Sequence, residues 1–86
     1  MEPEQVAEYE WAEQFDGRVW HLKARVFFVP FSFDPNTMRR SGKYNTSVFI
    51  GGDWHLFRQF DYEPSEAELK GSVKAYMPTW KAIGMI

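Results

Sequence analysis

Ala7, Tyr9, Trp11 and Phe15 fall on one side of an extended chain, and so do Trp20, Leu22, Ala24, Val26 and Phe28, with Asp16-Gly17 between the two runs. Asp-Gly tolerates the positive φ that both central residues of a tight hairpin turn need, so the pair predicts a two-residue reversal. A turn there sets Trp11 opposite Leu22, Tyr9 opposite Ala24 and Ala7 opposite Val26, which makes one apolar face. The alternate positions set Glu10 opposite Lys23 and Glu8 opposite Arg25, as cross-strand ion pairs on the other face. A helix over 4–15 is the competing prediction, because Pro3 could open it and Ala7, Trp11 and Phe15 share a helical stripe. Val6, Tyr9 and Ala12 would then scatter around the cylinder, so the strand accounts for more of the pattern.

The second strand is expected to run on towards Phe33, with Trp20, Leu22, Ala24, Val26 and Phe28 on one face and His21, Lys23, Arg25, Phe27 and Val29 on the other. Pro30 lacks a ladder donor and predicts a bend, a bulge or an edge. Asp34-Pro35-Asn36 opens a loop that continues to Gly42. Residues 43–62 predict a second hairpin around Gly51-Gly52-Asp53. That loop sets Ile50 opposite Trp54, Val48 opposite Leu56, Tyr44 opposite Phe60, Asn45 opposite Gln59 and Lys43 opposite Asp61. Ser65-Glu66-Ala67-Glu68 is a capping box, in which Ser65 accepts from the backbone of residue 68 and Glu68 reaches back. The helix it starts carries Leu69, Val73 and Tyr76 on one stripe and a Glu66/Lys70 pair. Gly71 weakens it by about 1 kcal/mol, and Pro78 should end or kink it near Met77. Trp80 and Ile83 continue the stripe on a short further turn that stops at Gly84.

The expected fold is α+β: a four-stranded, mostly antiparallel sheet of two β-hairpins with one C-terminal helix on its apolar face. The alternative is α-β-β-β-α, the order used by double-stranded RNA-binding domains, whose basic second helix this chain lacks. At 86 residues there is room for one domain. It divides into a first hairpin (1–33, turn at 16–17), a basic loop (34–42), a second hairpin (43–62) and a C-terminal helical segment (65–84). Aromatic residues make up 19% of the chain, which suits a small core that must be dense in large side chains.

Cysteine is absent, so a disulfide framework, a thiolate zinc site and a cysteine nucleophile are excluded together. No stretch approaches a membrane span or a secretory signal, and a cytoplasmic protein is expected. The net charge of −2 hides an asymmetry. Residues 1–16 hold Glu2, Glu4, Glu8, Glu10, Glu13 and Asp16 with no cation, whereas 18–43 hold Arg18, Lys23, Arg25, Arg39, Arg40 and Lys43 with only Asp34.

Little in the sequence points to catalysis. His21 and His55 are the only histidines, neither has a neighbouring carboxylate at ligand spacing, and no serine sits on a strand-to-helix elbow. Gly42-Lys43 lacks the rest of a phosphate loop. No catalytic residue, metal site or cofactor is expected. Asn45-Thr46-Ser47 matches a glycosylation sequon but falls in a predicted strand.

Binding has more to work with. The predicted faces put Phe27, Val29, Phe49 and Phe57 opposite the helix-covered side, and Met38, Arg39, Arg40 and Lys43 on an exposed basic loop. Aromatic and arginine contacts of this kind fit a larger protein or complex, so an adaptor or inhibitor is the expected function. The alternative is a single-stranded nucleic-acid binder that uses His21, Lys23, Arg25, Arg39, Arg40 and His55 among the aromatics. A second subunit covering the aromatic face, in a homodimer, is a third arrangement. In size and character the chain is similar to small proteins that phages and mobile elements direct at host machinery, although no family motif carries that likeness.

Overall fold

In the computed structural model, which describes residues 2–86, Asp16 and Gly17 take φ values of 54° and 76° and reverse the chain. They join β1 (Glu4–Phe15) to β2 (Arg18–Asp34). The register is the one the charges and apolar positions predict: Trp11 faces Leu22, Tyr9 faces Ala24, Ala7 faces Val26, Glu10 faces Lys23 and Glu8 faces Arg25. The helical alternative for 4–15 is thereby excluded. A register shift at Val6 kinks the start of β1.

β3 (Arg39–Ile50) and β4 (Asp53–Phe60) complete an antiparallel sheet in the order β1-β2-β3-β4. Three expectations need correcting here. Residues 39–42, placed in a loop by the sequence, belong to β3, and only the tip between Asp34 and Arg39 turns. The second turn has two residues, Gly51 and Gly52, both at positive φ, so Ile50 faces Asp53 and Val48 faces His55. The expected pairs Tyr44 with Phe60 and Asn45 with Gln59 nevertheless hold, because Phe57 and Arg58 together oppose Thr46 in a bulge. The Thr46 hydroxyl satisfies that bulge: it donates to the Arg58 carbonyl at 2.7 Å and accepts from the Arg58 N–H at 3.0 Å. The third correction concerns the helix, α1 (Glu66–Ala82), which runs through Pro78.

Pro78 is exposed while Met77 and Trp80 on either side are buried. A helical proline costs about 3 kcal/mol relative to alanine. Burying two large side chains offsets that at about 1.5–3 kcal/mol each. Ser65 caps the start, accepting from the Glu68 N–H at 3.2 Å. Only half of the predicted capping box forms, since the Glu68 carboxylate accepts from the Tyr62 hydroxyl. Gly84, at φ 78°, closes the other end; its N–H reaches the Lys81 carbonyl and that of Met85 reaches Trp80, at 3.1 and 2.9 Å.

The core lies between one sheet face and α1. Leu22, Ala24, Val26, Val48, Ile50 and Phe60 pack against Leu69, Val73, Met77 and Trp80, with Tyr9, Trp11, Phe15 and Trp20 around them. The helix lysines follow β1: Lys70 lies over the Trp11 ring, Lys74 is 3.9 Å from Glu13, and Lys81 pairs with Asp16.

Candidate functional surface

The second turn decides which side chains reach the uncovered face of the sheet. A two-residue turn, where three residues were expected, moves every β4 side chain before the bulge to the other face. His55 and Phe57 therefore lie on the helix side. Phe57 packs 5.6 Å from both Tyr76 and Trp80 between ring centroids, and His55 lies 6.2 Å from Trp80, its Nε2 3.3 Å from the Ile50 carbonyl. Neither belongs to the surface to which the sequence assigned it. Trp54 and Leu56 take their places on the open face, with Leu56 87% exposed. Reading Gly51-Gly52 as a two-residue turn of positive φ would have found them.

Three bands cross this open face. β1 brings Glu8 and Glu10. β2 brings His21, Lys23, Arg25, Phe27 and Val29, as the alternation predicts, and β3 and β4 bring Phe49, Trp54 and Leu56. Arg25 joins the bands: its Nε is 3.0 Å from Glu8 Oε1 and its guanidinium lies 4.2 Å from the centre of the Trp54 ring. Phe49 lies against Trp54, 5.4 Å between ring centroids. Glu10 and Lys23 are opposite each other but form no ion pair. Lys43 pairs with Asp61, and Gln59 donates to Asn45 at 2.8 Å.

The second feature is an arm. β1 reaches only as far as Phe28 and β4 only as far as Tyr44, so beyond Pro30 and Gly42 the sheet narrows to the two strands β2 and β3. A bulge at Phe31 follows Pro30, as the missing donor predicts. At the tip the Asn36 N–H donates to Asp34 Oδ1 at 2.9 Å, and Met38 takes φ 57°. Phe31, Phe33 and Met38 are 63%, 48% and 76% exposed. Arg40 reaches back to Glu4 at 3.5 Å and lies 5.3 Å over the Phe28 ring, while Arg39 stands opposite Asp34. The sequence singled out Met38, Arg39 and Arg40 but missed Phe31 and Phe33, because it ended the second strand near them and had no partner strand to offer.

No known protein family, curated protein or solved structure matches this chain.

The acidic segment is largely engaged within the molecule: Glu4, Glu8, Glu13 and Asp16 each have a cation within the ion-pair distance. The pairs of Glu4, Glu8 and Asp16 are exposed, and each contributes about 0.2–1 kcal/mol. Among the described residues no group of three or more metal-ligating side chains gathers, and no helix is long and apolar enough to cross a membrane. One titration is displaced. The hydrogen bond to the Glu68 carboxylate pushes the Tyr62 hydroxyl above its ordinary 10.0.

Proposed function

We propose that this chain is a small non-enzymatic protein-binding module, an adaptor or inhibitor that occupies a surface of a larger protein or complex. The observation that carries this is the uncovered sheet face, where Phe27, Val29, Phe49, Trp54 and Leu56 stand beside a fixed Arg25. Tryptophan, phenylalanine and arginine are the residue types that concentrate at the centres of protein interfaces. Arg25 is held in place by Glu8 and Trp54, so little side-chain freedom remains to be lost on binding. The arm adds Met38, Arg39 and Arg40 as a second contact.

The nucleic-acid alternative draws on the same face but has fewer cations to spend. Arg25 and Arg40 already have carboxylate partners, and Lys23 faces Glu10 across the strands. Affinity for phosphate depends on cations that release counterions, and each one paired internally contributes less.

Immobilised protein should recover a defined partner from a lysate of its own cell type or of that cell's host, and Phe27→Asp should abolish the recovery while the circular dichroism spectrum stays unchanged. Recovery undiminished by Phe27→Asp would remove the open face from the interaction. Retention on single-stranded DNA that falls steeply with salt, together with no protein partner, would favour the alternative.

A further inference from the structure

Left-handed backbone occurs at few places in this molecule, and nearly all of them hold residues that tolerate it. Asp16, Gly17, Gly51, Gly52 and Gly84 take positive φ, and aspartate and glycine reach that region at little cost. Met38, at φ 57°, is the exception among the described residues. A methionine Cβ crowds the backbone there, where glycine or asparagine would sit with less strain. No packing offsets that strain, since Met38 is 76% exposed and lies outside the core cluster. Strain kept at a residue the fold does not use points to function. Arg39, next in the chain, is exposed and stands opposite Asp34, yet among the described residues no carboxylate lies within ion-pair distance of it.

We propose that Met38 is the anchor of the arm: its side chain enters an apolar pocket of the protein partner, and Arg39 meets a carboxylate at the rim of that pocket. The inference rests on the protein-binding reading and names what the arm recognises. Methionine is unbranched, has three rotatable bonds and carries a sulfur that packs well against aromatic rings, so it fills an irregular apolar recess better than a stiffer side chain does. It stands at the tip of a ribbon two strands wide, which can enter a recess closed to the four-stranded face. Burying the Arg39 guanidinium beside it would be costly without an acceptor, and a carboxylate is the acceptor that matches its charge and planar fork. The fold would be served as well or better by asparagine at position 38, whereas an apolar pocket would not.

Two substitutions of the whole chain separate the fold from the contact. Met38→Asn relieves the left-handed strain and removes the apolar chain, so its denaturant midpoint should rise while recovery of the partner from lysate falls by about tenfold or more. Met38→Leu keeps both the strain and the apolar volume, so midpoint and recovery should stay near those of wild type. Arg39→Gln should lower recovery by about tenfold and leave the midpoint unchanged. Hydrogen peroxide gives a direct readout of the contact. In the free chain it should oxidise both Met38 and the half-exposed Met85 to sulfoxides, and in the recovered complex Met38 alone should be protected, by about tenfold. A midpoint that fails to rise in Met38→Asn overturns the proposal, since no strain would then be released. Recovery undiminished by Met38→Asn, or Met38 oxidised equally fast in the complex, overturns it and leaves the open face as the binding surface. Recovery undiminished by Arg39→Gln overturns the carboxylate at the rim. If wild type recovers no partner at all, the protein-binding reading fails and this inference fails with it.

Discussion

Gly42 lies against the Phe28 side chain, and a Cβ built on it would press on the Val29 carbonyl oxygen and stand 2.9 Å from carbons of the Phe28 ring. Its need for glycine is one of space, because its φ is not in the left-handed region. Gly71 presents the opposite case: it is exposed in the middle of α1 and a Cβ there meets nothing within 4 Å. Gly42→Ala should destabilise the fold by about 1–3 kcal/mol through overpacking. Gly71→Ala should stabilise it by about 1 kcal/mol through helix propensity. Denaturant unfolding of the two variants should show midpoints moving in opposite directions. A destabilising Gly71→Ala would reveal a close approach to that helix face which the single chain does not contain. The cost of Gly71 was legible in the sequence because propensity is local. The need for Gly42 was not, because it depends on a ring fourteen residues away whose contact exists only once β2 and β3 pair.

The two hairpins show what makes a register legible. In β1 and β2, apolar pairs and opposite charges constrain the same alignment independently, and a slip by one residue would break both. In β3 and β4, apolar matching, one polar pair and one opposite-charge pair were available, and a three-residue loop satisfies them all. The true turn is one residue shorter, and the difference is absorbed where Phe57 and Arg58 face Thr46. Composition carries no trace of such a bulge, since it depends on one hydroxyl that serves both the N–H and the carbonyl of Arg58. That single residue of offset moved Phe57 and His55 into the helix interface and Trp54 and Leu56 into the open. Thr46 is 2% exposed. Thr46→Val should therefore cost about 1–3 kcal/mol by leaving the Arg58 backbone without its partner, whereas Thr46→Ser should keep most of the stability. A larger loss in Thr46→Ser than in Thr46→Val, measured by chemical unfolding, would show that the buried methyl group matters more than the hydroxyl.

The molecule measures 54 by 22 by 18 Å, and the arm adds to its length without adding to its core. From the Pro30–Gly42 pair to the Asp34–Arg39 pair the ribbon extends about 10 Å at the usual rise per residue. Two strands alone are marginal in water, and this pair exposes Phe31, Phe33 and Met38 with no third strand or helix to cover them. Folding therefore gives no reason for these side chains to be apolar, whereas contact with another molecule does. Replacing residues 31–41 with an Asn-Gly turn that joins Pro30 to Gly42 separates the two roles. Among the described residues the only ion pair lost with the arm is the exposed one between Arg40 and Glu4, so the free energy of unfolding should change by about 1 kcal/mol or less. Recovery of the partner from lysate should nevertheless fall, because Met38, Arg39 and Arg40 leave with the tip. If the shortened chain fails to fold, the ribbon supports the sheet after all. If it folds and binds as before, the open face alone accounts for the interaction, and the exposed phenylalanines of the arm serve some other contact.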